Sequence, residues 1–309
     1  MIAAAKRHHR LCAVGFQDMW SSSMALLKLR VTEGALGAVQ RISCAGGWVR
    51  LDEYYQRAPW KGRVRFGDTW VLDGTANNVM AHEVAAMLYL ATPQRRTLAT
   101  PAAVRAELYC AHEIAGEDTA AIEIFTREGP GVFFLATTCP DDQFDPEITI
   151  LAEKATVHRS YDGRVSIRYN DGRVESPTLD DTRKHVAKFE NFVAACAAND
   201  PQMLLCNLTM CRPFTLAING AFESARRVRR IGAEYVTRSG EGSAAKTVIA
   251  GIDAAICRGA SQGALFSDLN LPWARPTATF DLTGYRHFPV QFEAAADQTP
   301  PDAEQLPFG

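Results

Sequence analysis

The chain has 309 residues, 47% of them hydrophobic and 22% charged, and a net charge of -2, which together suit one large or two ordinary globular domains with a sizeable core. So balanced a charge gives no reason to expect nucleic acid or an anionic membrane as a partner, and no run approaches the roughly 18 apolar residues of a membrane span. The N-terminal MIAAAKRHHRLC places its basic residues after a short apolar stretch, the reverse of a secretion signal, so a cytoplasmic protein is expected.

Residues 21–33 carry Met24, Leu27 and Val31 at helical spacing, and Gly34 ends the run. Val39, Ile42 and Cys44 read as a strand reaching Trp48, followed by a polar, aromatic loop over 50–68. A helix is predicted over 75–90, closed by Pro93. Alternation then takes over, in Val104, Ala106, Leu108 and Cys110, in Ala120, Ile122 and Ile124, in 132–136, and in Ile148, Ile150, Val157, Val165 and Ile167. A period of two between short turns predicts a meander of antiparallel strands with one face covered. Helices are predicted over 181–198, with Val186, Phe189, Val193 and Cys196 inward, and over 205–229. A late strand spans 277–282, and the Pro-, Asp- and Gln-rich tail is expected to fray.

This order predicts an α+β fold: a large, mostly antiparallel, open-faced sheet with helices packed on one face. It predicts no complete Rossmann domain, because no G-x-G-x-x-G follows a strand and opens a helix, and a dinucleotide's pyrophosphate needs that backbone cradle. The eight cysteines include no C-x-x-C pair and read as free thiols, with no metal site expected.

Five segments, in order, carry a resemblance. They are Val14-Gly15-Phe16-Gln17 with Glu33-Gly34-Ala35-Leu36-Gly37 after a helix; Trp48-Val49-Arg50 with Tyr54-Tyr55-Gln56-Arg57 and Trp60-Lys61-Gly62; VLDGTANNVMAHEVAAMLYL over 71–90; Arg212-Pro213-Phe214-Thr215 with 219–224; and Leu271-Pro272-Trp273-Ala274. Together they resemble the Gfo/Idh/MocA family of glucose–fructose oxidoreductase and inositol 2-dehydrogenase, over residues 1–290. The resemblance implies the substrate and oligomerisation domain at 21–292, preceded at 1–20 by the end of a nucleotide domain and followed by a tail at 293–309. The glycine loop and the Glu-Lys-Pro motif of such proteins have no counterpart here, so a truncated form is expected. NAD or NADP is implied as cofactor by the resemblance alone, and this chain by itself is expected to bind it poorly. The implied partners are a sugar, cyclitol or polyol substrate and further copies of the chain, paired through the sheet.

The family's Asp-x-x-x-His maps onto Asn78 and His82, which share one face of the predicted helix. Histidine suits the removal of a hydroxyl proton, and Asn78 could orient it or a substrate hydroxyl. The alternative is a satisfied helix histidine. Asp73 and Asn77 either line the substrate site or cap the helix start. Arg50, Tyr55, Arg57 and Trp60 could stack on a sugar and fix its polar groups, or form a solvated loop clamped by aromatic packing. The activity implied is that of an NAD(P)-dependent dehydrogenase. The alternative is a non-catalytic binding or oligomerisation module, or a pseudoenzyme without cofactor binding.

Overall fold

The structure, a computed structural model, describes residues 1–294. A short helix α1 (Ile2–Arg7) is followed by a 3-10 turn, Gln17–Trp20, and by α2 (Ser22–Thr32). Ser21 caps α2 by accepting from Met24 N at 3.1 Å. The helix buries Met24, Leu27 and Val31, the stripe read from the sequence.

Strand β1 (Val39–Gly47), the short helix α3 (Asp52–Gln56) and a small hairpin, β2 (Arg65–Phe66) with β3 (Thr69–Trp70), come next. The predicted 75–90 helix is divided. Thr75–Val79 forms a π-type turn, the backbone breaks at Met80 (φ -126, ψ 33), and α4 runs over Ala81–Leu90. The meander follows as β4 (Pro101–Cys110), β5 (Thr119–Thr126), β6 (Gly131–Thr137), β7 (Phe144–Ala152), β8 (Ala155–Ser160), β9 (Val165–Tyr169) and β10 (Val174–Glu175). Then come α5 (Lys184–Ala198), α6 (Leu208–Ala225), β11 (Arg229–Arg230), the hairpin β12 (Val236–Ser239) and β13 (Lys246–Ile249), α7 (Ile252–Gln262), and β14 (Phe280–Asp281), shorter than the predicted 277–282.

Among the described residues ten strands form one sheet, in the order β10-β9-β8-β7-β1-β6-β5-β4-β11, with β14 also on β4. The pairs are antiparallel except β1 with β6 and β11 with β4. Strand β1 thus enters mid-sheet between β7 and β6, which delivers its C-terminal end, Gly46 and Gly47, to the region of the π-type turn. Gly46 lies so close to Met80 that a Cβ would meet the sulfur at 2.9 Å.

One face of the sheet buries Ile42, Val104, Ile122, Phe134, Ile150 and Val157 beneath α2, α4 and α6. Lys28 of α2 closes the C-terminus of α4, donating to Tyr89 O and Thr92 O at 2.6 Å each, and burial pushes its amine down to about 7.

Two expectations need correction. Helices cover more than one face: α7 and the segment with Leu265, Phe266 and Trp273 pack over Tyr109, Ala121, Phe133 and Leu135 on the opposite side. The cause is the unbroken apolar run 132–135 in β6, which is apolar on both sides and needs two covers. The face stays open over β7, β8, β9 and β10, where Glu147, Thr149, His158, Arg168 and Val174 lie. Helix α5 also does not turn Val186, Phe189, Val193 and Cys196 inward. Phe189 and Val193 are each 64% exposed, Val186 and Cys196 are exposed too, and only Ala195 is buried. No helix among the described residues is long and apolar enough to cross a membrane. Most of the predicted tail, 295–309, lies outside the described residues.

Candidate functional site

The 50–62 loop and the π-type turn are joined through Asp73. This buried carboxylate accepts from Gly62 N at 2.6 Å and from the Asn78 side-chain amide at 2.5 Å, with Lys61 Nζ 3.8 Å away. The start of the turn is capped from elsewhere. Glu117 accepts from Thr75 N at 2.7 Å and Ala76 N at 2.9 Å, and burial pushes its carboxyl up to about 7 in spite of both bonds. The packing here is tight: a Cβ on Gly74 would lie 2.4 Å from the Glu117 carboxyl carbon, and one on Gly116 only 2.2 Å from Asp73 O.

His82 lies in the first turn of α4. Its ring stands edge-on to Phe16 at 5.5 Å, its Nδ1 is buried without a hydrogen-bond partner, and the ring makes no hydrogen bond to the described residues. Burial lowers its pKa from 6.5. Asp18 works against that shift, and Lys188, Lys184 and His185 of α5 add to it. The imidazole is therefore neutral at neutral pH and keeps a lone pair for a proton.

Asp18, on the 3-10 turn, sits in a charged cluster. Lys184 Nζ donates to it at 2.7 Å and Arg159 lies 3.3 Å away. Burial opposes its ionisation, but Arg159 and Lys184 outweigh that and hold it below the usual carboxylate range. The neighbouring Glu83 is pushed the other way, up to about 7, by burial and by the charge of Asp18. An ionised Asp18, a neutral His82 and a readily protonated Glu83 thus stand together, the separation of acid and base strengths found where proton chemistry is done.

The aromatic loop meets this cluster through Tyr161, whose ring packs edge-on against Trp48 at 5.0 Å with Lys184 Nζ 5.8 Å from its centre. Arg50 lies over Trp48 and Tyr54, 5.5 and 5.0 Å from the ring centres. Its backbone is held at both ends: N–H donates to Thr138 O, and the carbonyl faces His112 Nε2, each at 3.1 Å. Asp118 holds His112 through Nδ1 at 3.0 Å, and the Cys139 sulfur is 3.2 Å from the same nitrogen. His112, Asp118 and Cys139 bring three metal-ligand atoms within 4.8 Å of one another. Asp118 and Cys139 both meet His112 at Nδ1, and burial with the Asp118 charge pushes the Cys139 thiol up. Through His112 Nε2 the group also holds the Arg50 carbonyl.

The sequence-predicted residues therefore divide. Arg50 and Arg57 lie over the Tyr54 ring, at 5.0 and 4.3 Å, and Lys61 stands 4.4 Å over Trp60, whereas His82 belongs to the Asp18 cluster. Tyr55 turns inward, its hydroxyl bonded to Thr138 Oγ1 at 2.8 Å and its ring 4.8 Å from His112. Tyr54 takes the outward place. Asn77 donates to Val71 O at 3.2 Å. Asp73 caps no helix, since Glu117 does so, and Asn78 does not orient His82, because the break at Met80 ends the regular helix on which their spacing was read. Sequence reading missed Asp18, Glu83, Glu117, Arg159 and Lys184. They belong to five different segments: the packing of the 3-10 turn, α4, β8 and α5 joins four of them, and Glu117, just before β5, reaches the start of the π-type turn.

No protein-family model and no curated protein matches the chain. Among solved structures it is similar to the WlbA dehydrogenase from Bordetella pertussis, in complex with NADH and UDP-GlcNAcA, at 20% identity and a TM-score of 0.53 over 71% of this chain and 64% of that one. The fold is one shared with Gfo/Idh/MocA-type sugar oxidoreductases. The aldose–aldose oxidoreductase from Caulobacter crescentus, complexed with glycerol, matches at 14% identity, with a TM-score of 0.58 over 73% of this chain and 64% of that one. UDP-N-acetylglucosamine 3-dehydrogenase GnnA from Acidithiobacillus ferrooxidans matches at 20% identity, with a TM-score of 0.51 over 70% and 62%. The chain spans less than two thirds of the length of each, and at these identities the likeness is one of fold.

Proposed function

We propose that this chain is the substrate-binding part of an NAD(P)-dependent oxidoreductase acting on a sugar, cyclitol or similar polyol. His82 is the general base. The observation that carries this reading is its imidazole: neutral, without a hydrogen-bond partner among the described residues, and beside the ionised Asp18.

Oxidation of an alcohol removes a proton from oxygen and a hydride from carbon. His82 accepts the proton, and Asp18 stabilises the imidazolium that results. Arg50, Tyr54, Arg57 and Trp60 bind the sugar, while Asp73 and Asn78 keep the loop against the turn. The hydride belongs to nicotinamide chemistry, which the family resemblance implies. Among the described residues no glycine-rich turn between a strand and a helix offers N–H groups to a pyrophosphate, so these residues do not fit that cofactor. Pairing of two copies through the open face over β7, β8 and β9 belongs to the same proposal.

That missing cradle favours a second reading, a polyol-binding or assembly module without catalysis. Two measurements separate them. With NAD or NADP and a panel of sugars, cyclitols and polyols, nicotinamide absorbance should report oxidation that His82→Ala lowers by about 10²- to 10⁴-fold. Full activity in His82→Ala removes the base assignment. A titration with NADH and NADPH that shows no binding, alongside retained sugar binding, selects the module.

A further inference from the structure

Arg50 is a guanidinium held in place without a counter-charge. Its Nη1 donates to the carbonyl of Val49 at 3.0 Å, its Nε is buried without a partner, and among the described residues it makes no ion pair. Nearby carboxylates are engaged elsewhere. Asp145 accepts from the Trp48 indole N–H at 2.8 Å, and Asp52 pairs with Arg238. Two more cations approach the Tyr54 ring that Arg50 covers, Arg57 at 4.3 Å and Lys61 at 4.8 Å. Against these three cations stands the carboxylate of Asp73, 3.8 Å from Lys61.

A guanidinium remains charged at any working pH, and a buried donor left unpaired is unfavourable. The fold nevertheless holds the Arg50 backbone at both ends, through Thr138 and through the buried pair of His112 and Asp118.

We propose that Arg50 binds a carboxylate of the substrate, so that the site selects sugar or polyol acids over their neutral counterparts. This rests on the reading of the chain as a polyol-binding protein. With Nη1 donating to Val49 and Nε buried, Nη2 is the end of the guanidinium left to give a charge-assisted hydrogen bond to a carboxylate, and the rings of Trp48 and Tyr54 suit the apolar face of a sugar. Arg57 and Lys61 make the approach attractive to anions.

The test uses the purified chain at fixed ionic strength and three pairs of probes: D-glucuronate with D-glucose, D-galacturonate with D-galactose, and D-gluconate with D-sorbitol. Dissociation constants come from calorimetry or ligand-observed NMR. In at least one pair the acid should bind about tenfold more tightly, the size of effect one charge-assisted pair supplies. Arg50→Gln should bring the ratio of acid to neutral affinity down to about one, whatever it does to sugar binding in general, and Arg50→Lys, which keeps a charge with a different geometry, should fall between. Equal affinity for acid and neutral partner in every pair overturns the proposal and leaves the polyol reading standing. A preference undiminished in Arg50→Gln overturns it as well, because the acid is then held elsewhere. No binding in any pair overturns both. Circular dichroism on each variant separates lost binding from lost fold, and Arg50→Lys carries the comparison where Arg50→Gln unfolds.

Discussion

Asn78 gives its side-chain amide to Asp73, at 2.5 Å, and not to His82 four residues further along. The π-type turn and the break at Met80 separate the two positions that a regular helix would stack. Asp73 is thereby the junction of the aromatic loop and the turn, and His82 takes its electrostatic partner, Asp18, from a different segment.

Loss of the junction should cost more than loss of one of its arms. Asp73→Ala leaves Gly62 N–H and the Asn78 amide without an acceptor, at about 2–4 kcal/mol, whereas Asn78→Ala should cost about 1 kcal/mol. Urea unfolding of the two variants measures the difference. Equal midpoints for Asp73→Ala and the unaltered protein would show that the junction does not hold.

The proton affinity of His82 should respond to Lys184. Lys184→Met takes a positive charge from the neighbourhood and also uncovers Asp18, and both changes favour the imidazolium. In the unaltered protein the His82 ring should titrate below 6.5, and in Lys184→Met it should titrate higher. NMR of the ring protons, assigned with His82→Ala, reads both values. An unchanged or lower value in the variant contradicts the cluster.

Glu83 should make the protein less stable as pH rises. Its carboxyl titrates at about 7 in the folded chain against an ordinary 4.5, so the folded state holds the proton more tightly. Its contribution is complete below 4.5 and is lost as pH rises through 7, where the folded state must carry a buried, ionised carboxylate. The loss is about 3 kcal/mol at most. Unfolding measured at about pH 5 and about pH 8 should show a smaller difference in Glu83→Gln. Some slope should remain, because Glu117 is raised to about 7 as well.

Glu117 should control the turn beneath Asn77 and Asn78. Glu117→Ala leaves Thr75 N–H and Ala76 N–H buried and unpaired, at about 2–4 kcal/mol, and Glu117→Gln, which keeps one acceptor oxygen, should cost less. Hydrogen exchange at those two amides should speed up in Glu117→Ala. Unaltered exchange there would mean that the turn is held by other bonds.

Much of the scaffold was legible before folding was considered. The spacing of Met24, Leu27 and Val31 places α2, and the alternation of Val104, Ala106 and Leu108 places β4 with its inner face correct. Such patterns work because one side of each element meets a single core. They fail where that condition fails. The run 132–135 is apolar on both faces of β6, so α7 on the second face was not foreseen. Helix α5 leaves its apolar stripe exposed, so the inward reading of Phe189 and Val193 did not hold.

The candidate site divides along the same line. The sequence by itself determined its local pieces: His82 on a helix, a cationic and aromatic loop from Arg50 to Trp60, and polar residues at a helix start. Residue type and near-neighbour spacing are enough for these. Only the tertiary structure decided which side chains do what. It turned Tyr55 inward and Tyr54 outward, gave Asn78 to Asp73, capped the turn from Glu117, and brought Asp18, Arg159 and Lys184 beside His82. A charge acts through distance and burial, and both arise here from strand order and helix packing, which no local pattern of residues encodes.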